Sequence, residues 1–324
     1  MALQPIDSIH ALQIQAGVLG RKTGHVFEYN IAQRINSFQY PFNAEVIDAR
    51  HVFLGEPAKL LLSYIAAKEC IHQITRAEAI STGALATSED GKKWLSINGV
   101  TVSRCKSDLV IELSTNDGRN LTIGVSTKQC NNKTPTNAQL FFTTARGFST
   151  LLRNNGIDVS DVAIDALRQF CGDEGFRPED RHTSTKRLTD PRRYFWEEIH
   201  PDGRSEWEQI LKSQQDKITR LLLQKAYMND PFVPEYVLHK TKKASSWANT
   251  EVAIFTVNEL VTLSNNYQGF ATNPYRVTKG TYKDPAGIKH LAPRFGIVQM
   301  QRGGQKQHPE QLQFNLQAGY FYKI

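Results

Sequence analysis

The sequence predicts an α/β (α+β) fold: a mixed central sheet flanked by helices, elaborated by a helical segment and a C-terminal β-rich segment. Three observations predict it. Over the first half, runs of helical period alternate with β-type runs, the pattern of a mixed sheet covered by helices. From about Ile157 to Lys240 the pattern is helical, and the tail turns back to strands. The 324 residues are 40% hydrophobic and 22% charged, a globular balance.

The first helix is predicted over Lys22–Phe38, where Phe27, Ile31 and Ile35 lie four apart and Thr23 is placed to cap it. A second is predicted over Glu56–Ile80, with Pro57 near its start, where proline is tolerated. A β section follows through "KKWLSINGVTV" and then "SDLVIELSTNDGRNLTIGVSTKQ", Ser107–Gln129. Asn137–Gly156 reads as helix, pairing Phe141, Ala145, Phe148 and Leu152 on one face and closing on Gly156. "YFWEEI" and "SEWEQILKSQQDKITRLLLQKAY" are amphipathic, the latter ended by Pro231 and Pro234. The closing strands are "EVAIFTV", "YRVTKGTY", "RFGIVQMQ" and "QLQFNLQAGYFY". No linker divides the chain, so the expectation is a core over residues 1–156 and an extension over 157–324, with a soft boundary or a single domain.

Several classes of protein are disfavoured. No apolar run approaches the ~18–20 residues of a membrane helix. "MALQPIDSIHALQIQ" lacks a basic segment followed by an apolar one, so no secretory signal is expected and the location expected is cytoplasmic. Cys70, Cys105, Cys130 and Cys171 form no CxxC pair, and the nine histidines form no HExxH or HxH group. No GxSxG, GxxxxGKS or GxGxxG occurs, which leaves hydrolase elbows, P-loops and dinucleotide sites without local support. Lys plus Arg outnumber Asp plus Glu by 39 to 32, with a pI near 9.1, which suits a polyanionic partner. The basic residues thicken at Arg181–Arg193, Lys240–Lys243 and Arg294–Lys306.

The Ser107–Gln129 stretch carries the chemistry. Side chains alternate along a strand, so Leu109, Ile111 and Leu113 share one face while Asp108, Val110 and Glu112 share the other. On the returning strand Leu121, Ile123 and Val125 are apolar, opposed by Thr122, Gly124, Ser126 and Lys128. "TNDGR" reads as a three-residue loop ending in a left-handed Gly118. Pairing Thr115 with Arg119 then sets Asp108 opposite Ser126, with Lys128 on the diagonal about 7–8 Å away. Two readings of the Asp108–Lys128 pair stay open. One is a salt bridge on a solvated sheet face. The other is a divalent-metal site, since carboxylate oxygens suit Mg²⁺ and a lysine can orient an attacking water.

This arrangement resembles the PD-(D/E)xK nuclease superfamily, and type II restriction endonucleases in particular. In that family an aspartate sits on one hairpin strand and an acid-x-Lys triplet on the next. Here "KSDLVIEL" supplies Asp108 and "VSTKQ" supplies Lys128. The chain departs from the pattern at Ser107, where the family has proline, and at Ser126, which stands in the acid position. Some restriction endonucleases carry Ser-x-Lys and take the acid from the following helix; the corresponding place here, Gln139, holds an amide. "GHVFEYNIAQRIN" resembles the superfamily's first helix, which makes Glu28 the better second carboxylate, although it also suits the N-terminal end of a helix dipole. Glu112 is a further candidate. The resemblance covers roughly Lys22–Asn155 and implies a PD-(D/E)xK-like core. It also implies Mg²⁺ on Asp108 and Glu28, a water activated by Lys128, and a supporting part for Ser126 and Gln139.

A DNA-cutting core needs residues that bind and choose DNA. Arg pairs well with guanine, and Gln with adenine, in the major groove. Gln299, Gln301, Arg302, Gln305 and Lys306 crowd "QMQRGGQKQ" and are the first candidates. Arg187, Arg192 and Arg193 are the second, although Asp190 and Pro191 suit a plain helix start there. Lys242 and Lys243, with Lys240, are phosphate-contact candidates. The expectation is a Mg²⁺-dependent, sequence-specific endonuclease for double-stranded DNA. A homodimer is the default for palindromic sites, and a partner methyltransferase belongs to such systems. The alternatives are a non-catalytic DNA-binding or regulatory protein on a degenerate nuclease fold, and an enzyme acting on a small anionic metabolite.

Overall fold

Helix α1 (residues 24–37) forms where Phe27, Ile31 and Ile35 recur every four residues, and all three are buried in the core of the first of two compact units. The computed structural model describes residues 24–45, 47, 50–82, 95–97, 99–102, 105–181, 190–225, 230–266, 273–276, 287–302 and 311–318. The first unit draws on described residues 24–138, 223–260 and 317–318, the second on 139–222 and 261–316. Each is therefore assembled from separated stretches of chain.

The fold is mixed α+β. In the first unit, β1 (Val52–Gly55), β2 (Ile74–Ser81), β5 (Leu109–Thr115), β6 (Asn120–Gln129), β8 (Tyr236–Lys240) and β9 (Thr250–Thr256) form one six-stranded sheet in the order β1-β9-β8-β6-β5-β2. Only the β6–β8 pairing is parallel, which makes the sheet mixed. Helices α1 and α2 (Pro57–Lys68) pack against it, burying Leu61 and Ile65 with Leu109, Ile111, Leu113, Ile123 and Val125. Each such side chain contributes about 1.5–3 kcal/mol relative to exposure. A small hairpin, β3 (Leu95–Ile97) with β4 (Val100–Val102), also belongs to this unit.

The second unit pairs β12 (Arg294–Phe295), β13 (Val298–Arg302), β14 (Gln311–Leu316) and β7 (Ala138–Thr144) in that order, and β10 (Asn273–Tyr275) with β11 (His290–Ala292). Phe148, from α3 (Ala145–Asn154), stacks on Trp207 of α5 (Pro201–Ser213) and meets Phe314 of β14. The Trp207 indole donates to the Ala163 carbonyl of α4 (Asp161–Cys171) at 2.7 Å. Helices α6 (Gln215–Gln224) and α7 (Val257–Asn266) complete the described α-helices.

The β section and most described closing strands lie where the sequence places them. Three expectations are corrected. The helix expected over Glu56–Ile80 stops at Lys68: Cys70 turns left-handed (φ 53°), Ile71 N–H bonds back to the Ala66 carbonyl, and Ile74–Ser81 becomes strand β2. Ala77 and Ala79 are good helix formers, yet their alternation with Arg76 and Glu78 fits pairing with β5, and the pairing prevails. The helix expected over Asn137–Gly156 begins as strand β7, and α3 starts only at Ala145, where the Thr144 hydroxyl accepts from Gly147 N–H. The helical stretch expected up to Lys240 ends in strand β8, whose residues through His239 are all buried. "YFWEEI" supplies a 3₁₀ turn at Trp196–Glu198, and the long helix after it divides at Gln214 into α5 and α6. The Thr23 cap, most of "YRVTKGTY" and the turn after Arg302 lie outside the described residues.

Candidate active site

The β5–β6 hairpin sets the site by its register. Leu109 pairs with Val125 and Ser114 with Asn120, Thr115 N–H bonds to the Arg119 carbonyl at 3.0 Å, and Gly118 takes the left-handed turn position at φ 84°. Asp108, whose N–H bonds to the Val125 carbonyl, thereby stands opposite Ser126. Asp108 Oδ2 accepts from Ser126 Oγ at 3.1 Å, from Thr127 N–H at 2.7 Å and from Lys128 Nζ at 3.5 Å. Lys128 Nζ also donates to Ser126 Oγ and to the Thr127 carbonyl, both at 2.8 Å. The Lys128 and Asp108 side chains are 19% and 25% exposed, so the pair is partly withdrawn from water and its charges are less screened than on an open face. Among the described residues, every hydrogen bond to the Asp108 carboxylate ends on Oδ2, which leaves the lone pairs of Oδ1 open.

Strand alternation sends Thr127 the other way, toward α1. Its Oγ1 donates to Glu28 Oε1 at 3.1 Å, while Glu28 Oε2 meets His25 Nδ1 at 3.2 Å. Thr127 thus binds both carboxylates, Asp108 through its backbone and Glu28 through its hydroxyl. Glu28 is buried, and burial first, then the negative charge of Asp108, raises its pKa above the ordinary carboxylate value. Gln129, next on the Thr127 face, has a buried Nε2 with no hydrogen-bond partner among the described residues. A side chain at Gly24 would begin 3.8 Å from that nitrogen and 4.0 Å from Glu28 Oε1, so the glycine leaves space beside both groups.

Two further titratable groups border Lys128. The parallel β6–β8 register pairs Lys128 with His239, which is buried; burial, then the Lys128 charge, lowers its pKa to about 4, so it is neutral at pH 7. Burial, then Lys128, also pulls Lys106 down to about 8. The chain before Asp108 is held by Ser107 Oγ, which donates to the Phe232 carbonyl at 2.7 Å, and by Lys106 N–H, which donates to Asp230 Oδ2 at 2.5 Å.

The structure therefore brings Asp108, Ser126, Lys128 and Glu28 together and adds Thr127, Gln129, His239 and Lys106. Gln139 stands exposed on strand β7 of the second unit rather than on a helix. Glu112 faces Glu78 on one side and Thr122 on the other, and no bond of Asp108 reaches it. No group of three or more His, Cys, Asp or Glu that could hold a metal occurs among the described residues.

The recognition candidates are more engaged with the protein than the sequence implies. Arg192 makes a two-pronged contact with Asp190 at 3.0 and 2.9 Å. Arg193 is only 3% exposed, 3.9 Å from Asp190, with its pKa brought down to about 10 by burial and then by Arg302. Arg302 lies over the Phe195 and Phe170 rings and donates to Tyr275 Oη at 2.9 Å. Gln301 donates to Gln299 Oε1 and accepts from Asn315 Nδ2, an amide chain on β13 and β14. In the first unit Lys242 pairs with Glu251 at 2.6 Å, while Lys243 is exposed. Gln305, Lys306 and Arg187 lie outside the described residues.

Among the described residues no helix is long and apolar enough to cross a membrane. No protein-family model matches the sequence, and no curated protein matches it. Among solved structures, the chain is similar to the restriction endonuclease MspI in complex with its cognate DNA, at 12% identity and a TM-score of 0.46, over 93% of this chain and 92% of that one.

Proposed function

We propose that the protein is a Mg²⁺-dependent endonuclease that hydrolyses phosphodiester bonds at specific sites in double-stranded DNA, in the manner of a type II restriction enzyme. The observation that carries this reading is the Asp108–Ser126–Lys128 cluster at the end of a sheet hairpin, with the buried Glu28 carboxylate linked to it through Thr127.

The donor set fits the ion. Mg²⁺ takes one or two carboxylates, keeps several waters and shares substrate phosphate; Asp108 offers a free Oδ1, and Glu28 is a second carboxylate whose proton affinity Asp108 raises. Bound there, the ion would polarise the phosphate and offset the charge that grows on it. Lys128 would hold an attacking water and lend positive charge to the phosphate oxygens, its Nζ kept in place by Ser126 Oγ and the Thr127 carbonyl. Ser126 fills the acid position as a hydroxyl that orients Lys128 and Asp108 instead of adding a third negative charge. Gln299, Gln301 and Arg302, with Gln305 and Lys306, would read base edges. Arg187, Arg192, Lys242 and Lys243 would lie toward phosphates, Lys243 foremost because its side chain is exposed, whereas the buried Arg193 would reach DNA only if its surroundings rearranged. A two-fold homodimer would match a palindromic site, and a cognate methyltransferase would protect host DNA.

The test is to incubate unmethylated phage DNA with the protein and Mg²⁺, beside Lys128→Ala and an EDTA control. Discrete fragments are expected from the wild type alone, with Lys128→Ala slower by about 10²–10³-fold. Because Ser126 leaves one acid fewer than the family pattern, a non-catalytic DNA-binding protein is the second reading. Salt-sensitive DNA binding without cleavage would select it.

A further inference from the structure

We propose that Arg193 and Arg302 form an oxyanion site in the second unit, one that takes a phosphate group apart from the candidate active site. The observation that carries it is a buried charge without a hydrogen bond. The Arg193 side chain is 4% exposed, and its nearest carboxylate oxygen, on Asp190, stands 3.9 Å from Nε. Among the described residues its guanidinium donates no hydrogen bond. The Asp190 carboxylate is already engaged by Arg192, whose Nε and Nη2 take one oxygen each at 3.0 and 2.9 Å. The other carboxylates of this stretch are committed too. Glu197 meets His290 Nδ1 at 2.8 Å and Leu291 N–H at 3.0 Å, and Glu198 accepts from Phe195 N–H at 2.9 Å. A charged side chain is rarely buried unless it is paired. Arg193 does not escape by losing its proton, since a pKa brought down to about 10 leaves it charged at pH 7.

A second cation stands beside it. Arg302 Nη1 donates at 3.3 Å to the carbonyl of Tyr194, the residue next to Arg193, and its guanidinium lies over the Phe195 ring at 4.6 Å. The Arg302 charge weighs on Arg193 more heavily than the Asp190 carboxylate does. An anion held by both would turn that repulsion into two attractions. Tyr275 adds a donor: its Oη accepts from Arg302 Nη2 at 2.9 Å, and its own proton is uncommitted among the described residues. The ligand class follows from these groups. A guanidinium fork fits the paired oxygens of a phosphate, and with Arg192 offsetting Asp190, Arg193 and Arg302 together suit a doubly charged ion. A free phosphate ion is compact enough for so enclosed a side chain, whereas a phosphodiester on a duplex is not unless the surroundings move. Filled, the site would tie β13, which carries Arg302, to the chain at Arg193–Phe195.

The experiment titrates the full chain with inorganic phosphate at fixed ionic strength, without metal, and follows calorimetric affinity and thermal midpoint. Arg193→Met and Arg302→Met are run beside it, with Arg76→Ala, at an exposed position of the first unit, as control. Wild type and Arg76→Ala should bind phosphate saturably, and their midpoints should rise as the site fills. Each Met variant should lose at least tenfold in affinity, and the rise with it. Without phosphate, the Arg193→Met midpoint should equal or exceed that of wild type, because an apolar side chain replaces an uncompensated buried charge. A second arm substitutes a short DNA duplex for phosphate. A rise with duplex and none with phosphate, again lost in both Met variants, would keep the site and name its source as DNA phosphodiester. Unchanged phosphate affinity in both Met variants overturns the proposal, as does a wild type that responds to neither ligand. So does a phosphate-free Arg193→Met midpoint well below that of wild type, which would show the charge to be compensated within the fold. Neither metal nor cleavage enters the test, so its outcome is independent of the nuclease reading.

Discussion

His239 shows how one side chain ties the site to stability. It is buried beside Lys128 in the β6–β8 register, and its pKa falls from 6.5 to about 4. Between those values the unfolded chain binds a proton that the folded protein excludes, so the contribution is fully present above pH 6.5 and is lost as pH falls toward 4. The difference corresponds to something on the order of 3 kcal/mol. Urea midpoints measured from pH 7 to pH 4 should therefore fall more steeply for wild type than for His239→Gln; parallel curves would show that another group governs the acid limb. At this scale Asp108, Ser126 and Lys128 are legible from period-two alternation and the Asn-Asp-Gly turn. Thr127 and Gln129 are not, because they extend the Leu121–Ile123–Val125 face, which reads as core. Their signal is the change to polar side chains at the end of an apolar face. His239 is hidden for a different reason: its neighbour Lys128 is 111 positions away in the chain, and only the pairing of β8 with β6 joins them.

At the scale of elements, the turn after α2 decides where helix gives way to strand. Cys70 adopts φ 53° as the first residue past the cap, a conformation that costs a side-chain-bearing residue about 1–2 kcal/mol and glycine little. Arg119, from the hairpin loop, donates to the Glu69 and Cys70 carbonyls and secures the helix end. Cys70→Gly should keep those backbone bonds and raise stability by about 0.5–1 kcal/mol, read as a shift in thermal midpoint; a fall would mean that the thiol packs usefully. The opposite holds at Gly124. A β-carbon there would fall 2.4 Å from both Ser107 Oγ and the Val233 carbonyl, and the latter is backbone that cannot swing aside. Gly124→Ala should destabilise by about 1–3 kcal/mol and displace the stretch that leads into Asp108, measurable as a lower urea midpoint. The same close approach explains what was legible. An isolated glycine in a strand marks a near neighbour, but the neighbour, the chain entering β8, could not be read because Tyr236–Lys240 is a short apolar run with no alternation.

Over the whole molecule, each unit is assembled from separated stretches of chain, which no local pattern encodes; composition reports a basic α+β protein and the hairpin reports one corner of one sheet. The four cysteines offer a readout at this scale. Cys70 is exposed, Cys105 is half-buried, and Cys130 and Cys171 are buried. Burial, then the nearby Asp230 charge, pushes the Cys105 thiol from 9.0 to about 12, which cuts its thiolate fraction at pH 8 by roughly a thousandfold. Because only thiolate reacts, iodoacetamide at pH 8 should label Cys70 rapidly in the native protein and leave the other three, with all four labelled in urea. Cys105 and Cys130 lie in the first unit and Cys171 in the second, so peptide mapping across a urea series follows each unit by its own thiols. Rapid native labelling of Cys105 would mean that the segment preceding Asp108 opens to solvent, and the hydrogen bonds drawn around the site would then describe a minor population. Labelling confined to Cys70 would show that the segment stays closed on the labelling timescale, as a site built on Ser107 and Asp108 requires.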